Sequence, residues 1–357
     1  FALNSNELSL PTTYIISKYA EAIIENNEAD INEFNPLLSQ AAQYYDAAFN
    51  SKDRQDYDAD FLLSGATAYF LSSDFGSSKV LTRKLFGSFE DKNQTPQLLL
   101  LKIYAYLLLQ KRMSYIKVTD TYSRINNAFL DCFEKGTEAS TLKSYLTSYR
   151  DEVYNNDDPD EVFFVDVLVA SIYKAIENSS WLLLPAHSDI SLDKWEEYLK
   201  TKDSIKMLWP AQRLVSEKNI LRGENAIVQL PTGVGKTKSI ELIIRAAFLA
   251  ERANTAMVVA PLRALCNEIT TDMYKAFRDV ASVNQFSDVL QNDFLDLFGS
   301  DTEKQILVCT PEKLSYIMHH QPDILDAIDL FLFDEGHMFD DGGRGVTYEL
   351  LVTHIRN

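Results

Sequence analysis

Residues 230–239 read LPTGVGKTKS, and the small and cationic side chains in that run suit one task, the holding of a phosphate. Gly233 and Gly235 let a backbone close around an anion, while Lys236 and Thr237 reach phosphate oxygens and magnesium. Thr232, Gly233, Val234, Gly235, Lys236, Thr237 and Lys238 are therefore the candidate nucleotide-binding residues. The apolar run NAIVQL ahead of the loop reads as a strand and the residues from Lys236 as a helix, so a helix N-terminus adds backbone N–H groups aimed at the anion. Leu230 stands where such loops usually carry their first glycine. A chance glycine turn is the competing explanation, and the strand, loop and helix order weighs against it.

A second constellation, LFLFDEGH, ends an apolar run in Asp334 and Glu335. Beside a phosphate loop, one carboxylate can hold magnesium through its water shell and the other can take a proton from an attacking water. A solvated strand end is the plainer account of an acidic pair, but two strand–helix units separate it from Lys236, as a hydrolytic centre requires. His337 draws interest only from its place in DEGH.

APLRAL and TPEKL each place a proline, Pro261 and Pro311, between an apolar run and a helical one. Each alone is explained by proline near a helix start. Recurring at matching strand ends, they offer backbone amides and the Thr310 hydroxyl to a sugar-phosphate chain without reading bases. Gln212, in WPAQ, carries an amide that can pair with both a donor and an acceptor on an adenine edge, although an exposed Gln on a helix is the ordinary alternative. The histidines, and Cys132, Cys266 and Cys309, show no metal-ligand or disulfide spacing.

These groups need a frame. From Trp209 on, NAIVQL, TAMVVA, KQILVC and DLFLF alternate with helical patterns beginning near Lys236, Leu262 and Glu312, the signature of a parallel sheet with crossover helices on both faces. In such sheets ligands gather beyond the carboxyl ends of the strands, where each motif falls. Up to about residue 202 the pattern is helical throughout. TYIISKYAEAIIENN sets Ile16, Tyr19, Ala20, Ile23 and Ile24 on one face, and FLLSGATAYFLS and EVFFVDVLVASIYKAIEN repeat the style without a fixed period. An all-helical domain over 1–202 and an α/β domain over 203–357 are expected.

The chain of 357 residues has a formal net charge of -18, so a generally basic, histone-like binder is excluded and any polyanion must meet a local surface. Residues 1–200 carry 30 acidic and 18 basic side chains against 22 and 16 in the remainder, which makes the first half the poorer candidate for nucleic acid. QLLLLKIYAYLLLQK is interrupted by Lys102 and too short to span a bilayer, so it reads as a core helix. A cytoplasmic protein with no membrane partner is expected, since no secretory signal opens the chain.

In order, WPAQ, LPTGVGKT, APLRAL, TPEKL, DEGH and RGVTYELL resemble the first RecA-like domain of superfamily 2 helicases, and their form is most similar to the Ski-type DExH branch. The resemblance runs from about residue 205 to the end. It implies a RecA-like P-loop fold that uses ATP and magnesium, with Gln212 reading adenine, Lys236 and Thr237 on phosphate and magnesium, and Asp334 holding the metal. Glu335 would activate water and His337 would link the ATP state to a second domain. Pro261, Arg263, Thr310 and Pro311 would lie on the nucleic-acid track.

A helical half joined to such a core also resembles the helicase subunit of bacterial anti-phage defence systems such as Hachiman, in which a helicase controls a nuclease. That resemblance implies single-stranded nucleic acid, DNA over RNA, as the track, and an effector nuclease docking on the helical domain. The stretch NQFSDVLQNDFLDLFGSDTEK lacks the Thr-Gly step that such helicases often carry. The chain opens at Phe1 and stops 20 residues after His337, so a fragment without the second RecA-like domain is expected, and poor hydrolysis on its own with it. An ATP- and nucleic-acid-dependent switch that holds or releases a partner, with little unwinding, uses the same site.

Overall fold

The structure, a computed structural model, describes residues 5–50, 59–86, 94–156, 158–230, 235–286, 304–340 and 342–356. The described residues gather into two units: Phe1–Leu184 with Glu196–Arg213, and Pro185–Trp195 with Leu214–Asn357.

The first unit is built on α1 (Ser5–Glu25), α2 (Glu28–Asn50), α3 (Ala59–Leu71), α4 (Phe75–Leu85), α5 (Pro96–Leu109), α6 (Thr121–Lys135), α7 (Ala139–Asn156) and α8 (Pro159–Glu177). The run read as a core helix is α5, with Leu99, Leu100, Ile103 and Tyr104 wholly buried. It starts where Thr95 accepts the Leu98 N–H and Pro96 takes the first turn, and it stops where Gln110 adopts a left-handed conformation. Tyr104 meets its buried hydroxyl's needs with Ser171 of α8 at 2.7 Å and Thr67 of α3 at 3.3 Å. The expected face of α1 packs as read, Ile16, Tyr19 and Ala20 being buried and Ile23 and Ile24 partly so.

After α8 come α9 (Ser180–Ser188), α10 (Leu192–Leu199) and α11 (Pro210–Glu217). Trp209, at the start of α11, lies against Phe75, which draws residues up to Arg213 into the helical unit.

In the second unit, three expected strands form: β1 (Thr255–Val259), β3 (Gln305–Cys309) and β4 (Leu330–Phe333). They join β2 (Ser282–Gln285) in a parallel sheet of order β2-β3-β1-β4. The helices are α12 (Lys236–Leu249), α13 (Arg263–Phe277), α14 (Pro311–His320) and α15 (Gly342–Arg356). Strand side chains alternate between faces. Ala256, Val258, Ile306 and Val308 pack with Phe248 of α12 and Ile269 and Met273 of α13, whereas Met257, Val259, Leu307 and Cys309 pack with Leu314 and Ile317 of α14 and Leu351 of α15. Both faces are therefore covered, which is why β1 and β3 are apolar at nearly every position.

One expected strand does not form among the described residues. NAIVQL, residues 225–230, pairs with no described neighbour, and Ile227 and Val228 are exposed. A short apolar run becomes a strand only where a partner supplies the ladder and covers its side chains. The edge at β4 does not receive it. Among the described residues no helix is long and apolar enough to cross a membrane, and Cys132, Cys266 and Cys309 are free and buried.

Candidate active site

The parallel register sets Val259 opposite both Cys309 and Phe333, so the segments leaving β3, β1 and β4 emerge side by side. The Ala260 N–H donates to Cys309 C=O at 3.0 Å and the Asp334 N–H to Val259 C=O at 2.8 Å, extending both ladders one step past the strands. The chain then turns sharply. Glu335 has φ 53°, a left-handed conformation that costs a non-glycine residue about 1–2 kcal/mol, held as the Met338 N–H closes a turn onto Glu335 C=O at 3.0 Å.

That turn points the Glu335 carboxylate at Lys236. Lys236 Nζ is 3.7 Å from Glu335 Oε1, and His337 Nδ1 is 3.1 Å from Glu335 Oε2. Two residues almost a hundred positions apart are thus joined, and His337 touches the same carboxylate on its other oxygen. Beside them Asp334 is held above the usual carboxylate range, chiefly by burial and further by the Glu335 charge; the Glu335 backbone N–H and Lys236 oppose the shift. A carboxylate that is costly to leave buried and unpaired is suited to a dication.

On the other side, Gly235 has φ 89° and begins α12 without a side-chain cap. The left-handed conformation explains the glycine, and Lys236 and Thr237 sit half-buried in the first helical turn. Thr232, Gly233 and Val234 lie outside the described residues. Lys238 is directed elsewhere, with Nζ 2.7 Å from Glu241 Oε2. Glu241 is buried, with Arg245 3.9 Å away, and Arg245 in turn donates to Ala276 C=O at 2.6 Å and lies over the Phe277 ring. Sequence reading missed this chain of charges, which ties α12 to α13. Its signal is legible in hindsight, because Lys238, Glu241 and Arg245 sit at i, i+3 and i+7 on one helical face.

Thr237 and Asp334 offer hard oxygen donors, which fit magnesium, an ion that takes few protein ligands and keeps waters and phosphate oxygens for the rest. Among the described residues no three His, Cys, Asp or Glu side chains cluster as a metal site by themselves.

The nucleic-acid candidates divide. Arg263 is exposed in the first turn of α13, and Leu262 beside it is exposed as well. Pro261 and Pro311 are buried, so their rings face the core. Thr310 is the cap of α14, its oxygen accepting the Lys313 N–H at 3.4 Å, with Pro311 in the first turn. Gln212 is neither exposed nor in the sheet unit: it is 2 % exposed, belongs to the helical unit, and its Oε1 accepts the Trp209 N–H at 2.8 Å. As the third residue of α11 it reaches back to the helix cap, half of a capping box.

Residues 209–357 match the DEAD/DEAH box helicase family. Over 346 residues the chain is 24% identical to the Hachiman protein HamB of Bacillus cereus, covering 91% of this chain and 31% of that protein. It is also 30% identical over 169 residues to the ATP-dependent DNA helicase Hel308 of Pyrococcus horikoshii, and 27% identical over 163 residues to that of Pyrococcus abyssi; each match covers 46% of this chain and 22% of the helicase. The chain spans less than a third of the length of these relatives. The stretch that matches the DEAD/DEAH box helicase model, residues 209–357, is thus the one that carries Lys236 and the DEGH turn that meets it.

Proposed function

We propose that this chain carries the ATP-binding part of a translocase that moves on single-stranded nucleic acid, DNA over RNA, and works with an effector nuclease in bacterial antiviral defence. The observation that carries the reading is the meeting of Lys236 and Glu335 at the carboxyl end of a parallel sheet. Lys236 holds terminal phosphate oxygens, the open first turn of α12 adds N–H donors, and Asp334 and Thr237 hold magnesium, which supplies positive charge to the phosphates when bound.

Binding of a phosphate recruits Lys236 and leaves the Glu335 carboxylate to accept a proton from the attacking water. His337, on the second oxygen of the same carboxylate, is placed to relay that state to whatever packs on its exposed side. Arg263 contacts the sugar-phosphate backbone. DNA as track is supported by the two Hel308 relatives, and the defence role by likeness to the Hachiman protein HamB across both units; the nuclease docks on the helical unit in this proposal.

The test is ATP hydrolysis by the full-length protein with single-stranded DNA, single-stranded RNA or neither. Stimulation by DNA, abolished in Glu335→Gln while nucleotide still binds, is expected. ATP turnover indifferent to either polymer, or a Glu335→Gln protein that still releases its partner on ATP binding, would replace the motor with a switch.

A further inference from the structure

The helical unit holds a surface at odds with its overall charge. Between α5 and α6, residues 110–119 form neither helix nor strand, yet they are clasped along their length. Asn127 acts as a substitute strand, accepting the Ile116 N–H at 3.0 Å and donating to Ile116 C=O at 2.8 Å. Asn126, itself buried, donates to Ser114 C=O at 3.0 Å, and Ser123 Oγ accepts the Thr119 N–H at 2.9 Å. Met113 and Ile116 face the core.

What this strap turns outward is cationic and aromatic. Lys111, Arg112 and Lys117 are exposed, as is Arg124, one turn before Asn127 on α6, and none of the four forms an ion pair among the described residues. Over residues 110–124 the only carboxylate is Asp120, and it is engaged in capping α6 through the Ser123 N–H. Four cations stand against Asp120, which is engaged in a cap, and Asp131, which accepts the Tyr115 hydroxyl at 3.0 Å and pairs with Lys135 at 2.7 Å; in a half of the chain that is net acidic, that is a concentration that solvation of a helical surface does not require. Tyr115 is half exposed, with Lys135 Nζ 4.8 Å from its ring centroid, and Lys111 lies 5.4 Å from the half-exposed ring of Phe86.

We infer that this strap is a second contact for single-stranded nucleic acid, gripping the sugar-phosphate backbone through Lys111, Arg112, Lys117 and Arg124, with Tyr115 as a stacking ring. The inference rests on the translocase reading for the identity of the polyanion. Cations on an ordered segment and the helix turn beside it, with an exposed ring among them, are how strands are held without regard to sequence. The acidic remainder of the unit confines the strand to the strap.

The experiment is fluorescence anisotropy of a labelled oligothymidylate with the full chain over a range of salt. Lys111→Glu with Lys117→Glu should weaken binding roughly tenfold or more and lower the log–log salt slope by about 1.4, near 0.7 per lost phosphate contact on a single strand. Lys18→Glu with Lys200→Glu changes the net charge equally on residues paired with Glu21 and Glu196, and should leave affinity and slope in place. Equal weakening by both double variants, or none by the first, overturns the strap. Binding that survives the strap variant but is lost in Arg263→Glu overturns the strap and leaves the translocase standing. No binding by the unaltered chain overturns both. Polyglutamate held more tightly than the oligonucleotide would reassign the strap to an acidic protein.

Discussion

The two units begin their helices in different ways. In the helical unit Asp74, Thr95, Asp120 and Asp158 each turn a side-chain oxygen onto the first N–H groups of α4, α5, α6 and α8. In the sheet unit α12 begins at Gly235 and α13 at Leu262 with no side-chain cap. A capped end spends its donors on stability, whereas an open end at the carboxyl edge of a parallel sheet keeps them for a ligand. The left-handed residues do not follow that division. Asn26, Ser73 and Gln110 in the first unit and Asp189, Asn219 and Glu251 in the second all follow helix ends, where such a conformation is routine, whereas Glu335 carries its strain on a carboxylate that faces Lys236. TPEKL is the instructive exception, since Thr310 caps α14 in the sheet unit just as Asp158 caps α8 in the helical one.

The strongest break of this contrast is Lys236→Ala. It should lower kcat/KM for ATP roughly 10²–10³-fold while the melting temperature stays put, because in the proposed role the lysine serves a phosphate and its contact here is with a partly exposed carboxylate. A large loss of stability would mean that the site is structural after all.

Gly136→Ala makes the converse case in the helical unit. Gly136 ends α6 at φ 68°, and a Cβ there would sit 2.4 Å from the ring of Trp181, whose Nε1 donates to Phe133 C=O. Overpacking together with the left-handed conformation should cost about 2–4 kcal/mol in urea denaturation, with nucleotide affinity of the folded protein unchanged. A cost under about 1 kcal/mol would show that Trp181 moves aside.

The finest probe is Asp158→Ala, which removes the cap of α8 and should cost about 1 kcal/mol with no effect on ATP turnover. If turnover fell instead, the division between closed and open helix ends would not separate stability from function.

Much of the site was legible because its signals are local. A glycine–lysine–threonine turn ahead of a helix, and an apolar run ending in Asp-Glu, are read within ten residues each, and the structure places both where such groups can meet. β2 was not legible, since Ser-Val-Asn-Gln carries too little apolar pattern to mark a strand, and it exists because β3 offers it an edge. NAIVQL errs the other way, apolar enough for a strand but without a neighbour among the described residues. Gln212 in WPAQ fits an adenine reader and a helix cap equally well by residue type, and in this structure its Oε1 accepts the Trp209 N–H.

The sequence by itself determined the alternation that buries both faces of β1 and β3, the caps of the helical unit and the identity of the residues that can handle a phosphate. These come from periodicity and from hydrogen bonds spanning three or four positions. Tertiary structure alone decided that Lys236 meets Glu335, that Glu335 is strained to do so, and that Asn126 and Asn127 order a basic strap on an acidic unit. The register of parallel strands and the packing of a loop on a helix are set by residues far apart in the chain, and such long-range choices leave no mark in any short window of sequence.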